Sequence, residues 1–406
     1  MKHNPSRVAH ELREHLASDK RKLGFFMGAG TSMAIGLPGI EKLSELVEEA
    51  LPSYELKENF KKIKEEVASG SKNVEIVLNR IRLIRELLDD KEENTHNGIS
   101  GEKIKTLDLE VCRAIHKTID TIDVKDKQPH ETFSQWLYSS YTRRNAPVEI
   151  FTTNYDLMFE EAMEEKSVPY FDGFIGTVNP FFSPESVEAD NEINHQESKL
   201  PNSWTRLWKL HGSVNWFLKT DPVGGKKKVV RGSGKVESSG QELMIFPSRE
   251  KYLESRKLPF ITFQDRLRKF LSNGEAVLFI EGYSFMDEHL NEIIFQALRS
   301  NNRLAVNALI FGDKNGTNFK LPDNLAQLGI DYRNLSIYGP DKAVIGGVVG
   351  EWDNEPSGPN VDSYWSNDTL AIVDFKSFSQ YLERFVGFGS KAFGPSSVTP
   401  ILTEGD

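Results

Sequence analysis

Gly24-Phe25-Phe26-Met27-Gly28-Ala29-Gly30-Thr31-Ser32, followed by Gly36-Leu37-Pro38, is an apolar strand pattern that runs straight into small residues and hydroxyls. Small residues at a strand end let backbone N–H groups approach an anion closely, and the N-terminus of the next helix adds favourable partial charge. The segment reads as a phosphate cradle for a nucleotide, with Gly28, Ala29, Gly30, Thr31, Ser32 and Pro38 as its binding residues. The dinucleotide fingerprint of dehydrogenases asks for a third glycine where Met33 stands, and for an acidic residue after the following strand that is not clearly placed here. An ordinary dehydrogenase is disfavoured. The bland alternative is a tight strand-to-helix turn that needs glycine for positive φ.

On the N-terminal side, Asn4 and Pro5 suit a helix start, and Val8, Leu12 and Leu16 recur at four-residue spacing, so a helix precedes the strand. On the other side, Ile40 to Val47, Leu56 to Val67 and Ile76 to Leu88 carry helical periods, which predicts an inserted helical subdomain over 39–140. Residues 89–103 read as an exposed loop, with helix resuming near Leu107. Strand patterns follow at Val148–Phe151, Leu207–Leu210, Leu243–Phe246, Ala276–Ile280, Leu304–Phe311, Leu335–Tyr338 and Leu370–Val373, with helical stretches at 156–165, 262–272, 287–299 and 375–386. That alternation predicts an α/β fold with a largely parallel sheet and helices on both faces. Residues 1–38 and 141–406 form the main domain in this reading. The polar stretches 172–204 and 218–241 are expected to cross the active face, and Gly339–Pro359 to form a loop or hairpin.

The 406 residues and 38% hydrophobic content allow a substantial core, and the chain reads as globular, without a membrane span and with the cytoplasm as the expected location. Cys112 is the only cysteine, so neither an intrachain disulfide nor a cysteine-rich zinc site is expected. A net charge of −10 argues against direct nucleic-acid binding, although Lys226, Lys227, Lys228 and Arg231 make a local basic cluster that also suits a solvated hairpin tip.

Polar clusters follow other strands in the same manner. Thr152-Thr153-Asn154-Tyr155-Asp156, His211-Gly212-Ser213 and Gly282-Tyr283-Ser284-Phe285-Met286-Asp287 each succeed an apolar run. In a parallel sheet the carboxyl ends of the strands share an edge, so these clusters and the first loop are expected to meet at one ligand. In this order they resemble the sirtuin (SIR2) superfamily, whose motifs are Gly-Ala-Gly-x-Ser, Thr-x-Asn-x-Asp, His-Gly and a late Gly-x-Ser. The resemblance runs from about residue 24 to 299 and is most similar to the bacterial SIR2-like branch found in antiphage defence proteins. It implies a Rossmann-like domain that binds NAD and cleaves the nicotinamide–ribose bond with water as acceptor. The family's deacylases carry a four-cysteine zinc module and a Pro-Asp-Phe-Arg segment, where this chain has one cysteine and Pro38-Gly39-Ile40-Glu41. Deacylation is therefore disfavoured, and neither zinc nor another metal is expected.

Within the resemblance, Asn154 and His211 are the catalytic candidates, the amide for ribose hydroxyls or the attacking water and the imidazole as a proton acceptor near neutral pH. Thr153, Asp156, Gly282, Tyr283, Ser284 and Asp287 are candidate NAD contacts. Asn154, Ser284 and Asp287 also suit helix caps, and a histidine beside glycine also suits a turn. No Gly-x-Ser-x-Gly elbow supports a serine hydrolase. The alternatives to an NAD hydrolase are a non-catalytic NAD or ADP-ribose sensing scaffold and, more remotely, a nucleic-acid-processing subunit. By resemblance, a homo-oligomer and a HerA-type hexameric ATPase partner are implied.

Overall fold

A computed structural model describes residues 1–67, 73–124, 126–140, 143–189, 200–220, 225, 227–232, 242–245, 259–315, 318–353, 355–358 and 360–385. Strand β1 (Lys22–Met27) sits inside a ten-stranded sheet. It pairs in parallel with β2 (Val148–Thr152) on one side and with β4 (Ala276–Glu281) on the other; β3 (Thr205–Lys209) lies beyond β2, while β5 (Leu304–Leu309) and β6 (Leu335–Tyr338) lie beyond β4. The hairpin Lys342–Ile345/Val348–Trp352 adds antiparallel strands, so the sheet is mixed but mostly parallel, as expected of an α/β fold. Because the chain leaves β1 toward β2 and later returns to β4 on the opposite side, a crevice opens at the carboxyl end of β1.

The central strands are apolar on both faces, as a covered parallel sheet requires. Phe26, Phe151, Trp208, Leu278 and Ile280 join one core, with residues of Pro259–Ser272 and Glu288–Ser300. Phe25, Met27, Ile150, Leu207 and Phe279 join the other, with residues of Pro5–Ala17, Gln128–Ser140 and Phe375–Glu383. A third core binds the helices α1 (Ile40–Ala50), α2 (Tyr54–Glu66), α3 (Val74–Leu88) and α4 (Gly101–Thr121) to one another and to Tyr155, Val214 and Phe217. Among the described residues no helix is long and apolar enough to cross a membrane.

Several local expectations are corrected. The 89–103 loop contains a small hairpin, Thr95–His96 with Ile99–Ser100, and helix resumes at Gly101, where Gly101 N–H is anchored on the carbonyls of Lys91 and Asn94. The strand at Glu242–Ile245 belongs to a separate five-stranded sheet with Gly212–Thr220, Lys227–Arg231, Phe181–Phe182 and Phe174–Ile175, not to the central one; Phe246 lies outside the described residues. This second, antiparallel sheet takes up parts of both polar stretches that read as excursions. Lys227, Lys228 and Arg231 sit on one of its strands, and Lys226 lies outside the described residues. Of Leu370–Val373, only Leu370 is strand; Ala371–Val373 forms a 3-10 turn leading to the Asp374 cap of the last helix.

A buried ion pair ties β2 to the helix Pro259–Ser272, and a hydrogen bond to the same carboxylate ties β2 to β3. Glu149 of β2 accepts from Trp208 Nε1 of β3 at 2.6 Å and from Arg266 at 3.0 Å, and the guanidinium lies 5.3 Å over the Trp208 ring. Removing one member leaves the other charge buried, a cost of roughly 3–5 kcal/mol. Glu149→Ala should lower the denaturant midpoint accordingly, with Trp208 fluorescence as probe. An unchanged midpoint would show that the pair contributes no net stability.

Candidate functional site

The loops after β1 and β4 lie backbone against backbone. Gly28 N–H donates to the Glu281 carbonyl at 2.8 Å, and Gly30 N–H to the Gly282 carbonyl at 2.9 Å. A Cβ on Gly28 would stand 2.4 Å from the Gly282 oxygen, and one on Gly30 2.5 Å from Gly282 Cα. Gly282 itself has φ +63°, and a Cβ there would meet Thr31 N at 2.6 Å. The glycines thus serve this close approach, which glycine alone permits. The N–H groups of Gly28 and Gly30 are engaged with protein carbonyls, and Thr31 gives both its N–H and its hydroxyl to the Gly28 carbonyl. Gly28, Gly30 and Thr31 stand behind the wall of the adjoining cleft, whereas Ala29, Ser32 and Pro38 line it. Of the turn expected to cradle a phosphate, the amides of Gly28, Gly30 and Thr31 are therefore engaged within the protein, while Ala29, Ser32 and Pro38 face the cleft.

Asn154 is locked onto that loop. Its Nδ2 donates to the Gly28 carbonyl at 3.1 Å, to Thr31 Oγ1 at 3.0 Å and to Ser32 Oγ at 2.8 Å. A carbonyl only accepts, so Gly28 fixes which end of the amide is nitrogen and leaves Oδ1 as the acceptor end. The residue's backbone is held as well: its N–H reaches Thr152 Oγ1 at 3.1 Å, while Thr153 N–H donates to Met27 O. Beneath the loop, the buried Lys209 ammonium donates to the carbonyls of Tyr155 and Asp156 and to Glu160 at 2.8 Å. Burial pushes the Glu160 carboxyl up, partly offset by Lys209. Asp156 accepts from Ser32 Oγ at 2.7 Å and from Met158 N–H at 3.1 Å. Both its oxygens therefore hold protein groups, which gives it a role in orienting Ser32.

His211 follows β3 and is buried at the cleft. Its Nε2 lies 2.9 Å from Asp287 Oδ2, and its ring stacks on Tyr155 with centroids 6.5 Å apart. Asp287 caps the helix Glu288–Ser300, Oδ1 accepting from His289 N–H at 2.9 Å and Leu290 N–H at 3.0 Å. Burial pushes this carboxyl up, but the hydrogen bond and charge of His211 and these N–H groups outweigh it and hold it below the usual carboxylate range. The expected capping role and the expected site role of Asp287 thus coincide in one side chain. Tyr283 packs against Phe26 at 4.6 Å and donates to Asn291 at 2.8 Å, a supporting position at the cleft wall. Thr153 lines the cleft, as does the exposed Ser284.

The cleft is open, with a volume near 1760 Å³, and its opposite wall comes from α3. Glu75, in the first turn of α3, accepts the Tyr155 hydroxyl and stands 3.9 Å from His211 Nδ1. The sequence reading missed it because a glutamate at a helix start ordinarily complements the macrodipole. Tyr155 carries no sequence signal beyond its place in the Thr152–Asp156 cluster. Among the described residues no group of three His, Cys, Asp or Glu side chains is placed to hold a metal ion.

The family model described as a SIR2-like domain matches residues 148–332, a little under half of the chain. Over that segment, which includes Asn154, His211 and Asp287, the chain is similar to SIR2-like domains. Comparison with curated proteins finds no match. Among solved structures, a SIR2 homologue in complex with NAD shares 13% identity over 77% of this chain and 86% of that chain, with a TM-score of 0.34. A Sir2 homologue mutant in complex with ADP-ribose shares 11% over 93% and 95%, with a TM-score of 0.33.

Gly282→Ala should be destabilising by on the order of 1–3 kcal/mol, since it forces an L side chain into positive φ against Thr31. Thermal unfolding is the measurement; a melting temperature equal to wild type would show that the loops tolerate separation.

Proposed function

We propose that the chain is an NAD+ glycohydrolase that releases nicotinamide and ADP-ribose. The observation that carries this reading is that Asn154, with its amide orientation fixed, and His211, with Nε2 on Asp287, line one cleft at the carboxyl ends of adjacent parallel strands. NAD suits such a site because its nicotinamide leaves as a neutral base, so no strong general acid is required. What the site must supply is an acceptor for ribose hydroxyls or water and a base for the proton released. Asn154 Oδ1 provides the first. His211 provides the second: with Nε2–H donated to the ionised Asp287, Nδ1 carries the lone pair of the neutral ring. The SIR2-like match over 148–332 supports the same reading.

The likeness of the motif order to bacterial SIR2-like antiphage defence proteins extends the proposal to a homo-oligomeric cytoplasmic effector, with a HerA-type ATPase as partner. The helical segment 39–140 is proposed as its controlling or assembly surface.

Incubation of the purified chain with NAD, alone and with a co-expressed ATPase, followed by chromatography, tests the reaction. Wild type should release nicotinamide and ADP-ribose in equal amounts, and Asn154→Ala and His211→Ala should each lose about 100-fold or more of turnover while keeping wild-type circular dichroism. Intact NAD under both conditions, despite measurable binding, would leave the sensing-scaffold reading in its place.

A further inference from the structure

We propose that Glu75, supplied by the helical segment, is a positioning residue for His211, so that the site is complete only when α3 is seated over the strand ends. The inference rests on the NAD-cleaving reading of the same cleft. Its geometric basis is the placement of the imidazole between carboxylates from different parts of the chain: Asp287 at Nε2, 2.9 Å away, and Glu75 on the Nδ1 side, 3.9 Å away.

The Asp287 carboxylate accepts from backbone N–H groups through one oxygen and from Nε2 through the other, which places the ring proton on Nε2. Nδ1 is then the atom that takes up a proton. When a ribose hydroxyl or water gives its proton to Nδ1, the O–H bond breaks, its electron pair stays on oxygen, and an N–H bond forms on the ring. The ring becomes an imidazolium, and the new positive edge faces Glu75. At 3.9 Å the two are beyond a direct hydrogen bond but within ion-pair distance, and in a partly buried site that attraction is much stronger than in water. The interaction strengthens as charge develops, which is the condition for lowering a barrier rather than tightening ground-state binding. The Tyr155 hydroxyl, donated to Glu75, keeps the carboxylate on the Nδ1 side, and the Tyr155 ring backs the imidazole.

The surrounding charges separate the contribution of Glu75 from theirs. Burial pushes the Glu75 carboxyl above the usual range, assisted by Asp287 and opposed by His211 and the Tyr155 hydrogen bond. Asp287 is held below that range, so it is already ionised where Glu75 titrates. Burial raises Tyr155 well above its ordinary value, with Glu75 adding to the rise, and Arg82 is the cation that opposes it. As pH rises through the Glu75 titration, the carboxylate forms and the rate should climb.

Glu75→Gln keeps an acceptor for Tyr155 and removes only the charge. It should reduce kcat about tenfold, leave KM for NAD within about twofold, and abolish the rise in rate that Glu75 ionisation contributes to the acid limb of the pH profile. Tyr155→Phe, which frees the carboxylate but keeps the ring, should show a smaller loss of kcat. In parallel, nitrogen-15 correlation spectra of the His211 ring, assigned with His211→Ala, should show a lone pair on Nδ1 in wild type and a displaced Nδ1 resonance in Glu75→Gln. A wild-type chain that turns over NAD, with kcat, pH profile and ring resonances unchanged in Glu75→Gln, overturns the inference. A wild-type chain that leaves NAD intact, with the Nδ1 resonance displaced as expected, overturns the hydrolase reading and keeps the Glu75–His211 pairing.

Discussion

The close approach of the loops after β1 and β4 is the constraint on which the site depends. Without side chains at Gly28, Gly30 and Gly282, backbone meets backbone, and the N–H groups of Gly28 and Gly30 close onto the other loop's carbonyls. That contact fixes the Gly28 carbonyl, the Thr31 hydroxyl and the Ser32 hydroxyl in one small region, where the Asn154 amide finds all of them. The same loop after β4 continues through Tyr283 to Asp287, which sets the imidazole of His211. Two groups with separate proposed tasks are therefore oriented by one packing event between adjacent strands.

A second layer of polar contacts makes the arrangement rigid. Lys209 pins the Tyr155–Asp156 carbonyls from below, and Asp156 holds Ser32 against Asn154. Lys209, Asp156, Ser32 and Asn154 all have hydrogen-bond partners, which is the condition under which a buried network favours a single geometry. Helices α1 to α4 share a core with Tyr155, and through Glu75 of α3 they contribute directly to the cleft.

Much of this was legible in the sequence because strand-end chemistry is local. An apolar run followed by glycine, asparagine or histidine announces a residue at the sheet edge, and the parallel topology brings those edges together. The order Gly28, Asn154, His211, Gly282 therefore marks the carboxyl edge of the sheet, where Asn154, His211 and Gly282 line the cleft. The packing role of the glycines was less legible: a residue that permits close approach to a phosphate and one that permits close approach to another loop look identical in sequence, and the contact with the Glu281 and Gly282 carbonyls depends on long-range pairing of β1 with β4. Glu75 left no signal, because its role depends on how a separate helical segment docks. The strand at Glu242–Ile245 was recognisable as a strand, but its sheet was not, since pairing partners are set by long-range register.

The most direct measurement of the central claim is a structure of the His211→Ala variant with NAD bound. The nicotinamide ribose should lie in the cleft, with a hydroxyl on Asn154 Oδ1 and the reacting carbon beside the space left by the imidazole. A nucleotide bound elsewhere, or bound in the cleft with its nicotinamide end turned away from Asn154 and residue 211, would contradict it.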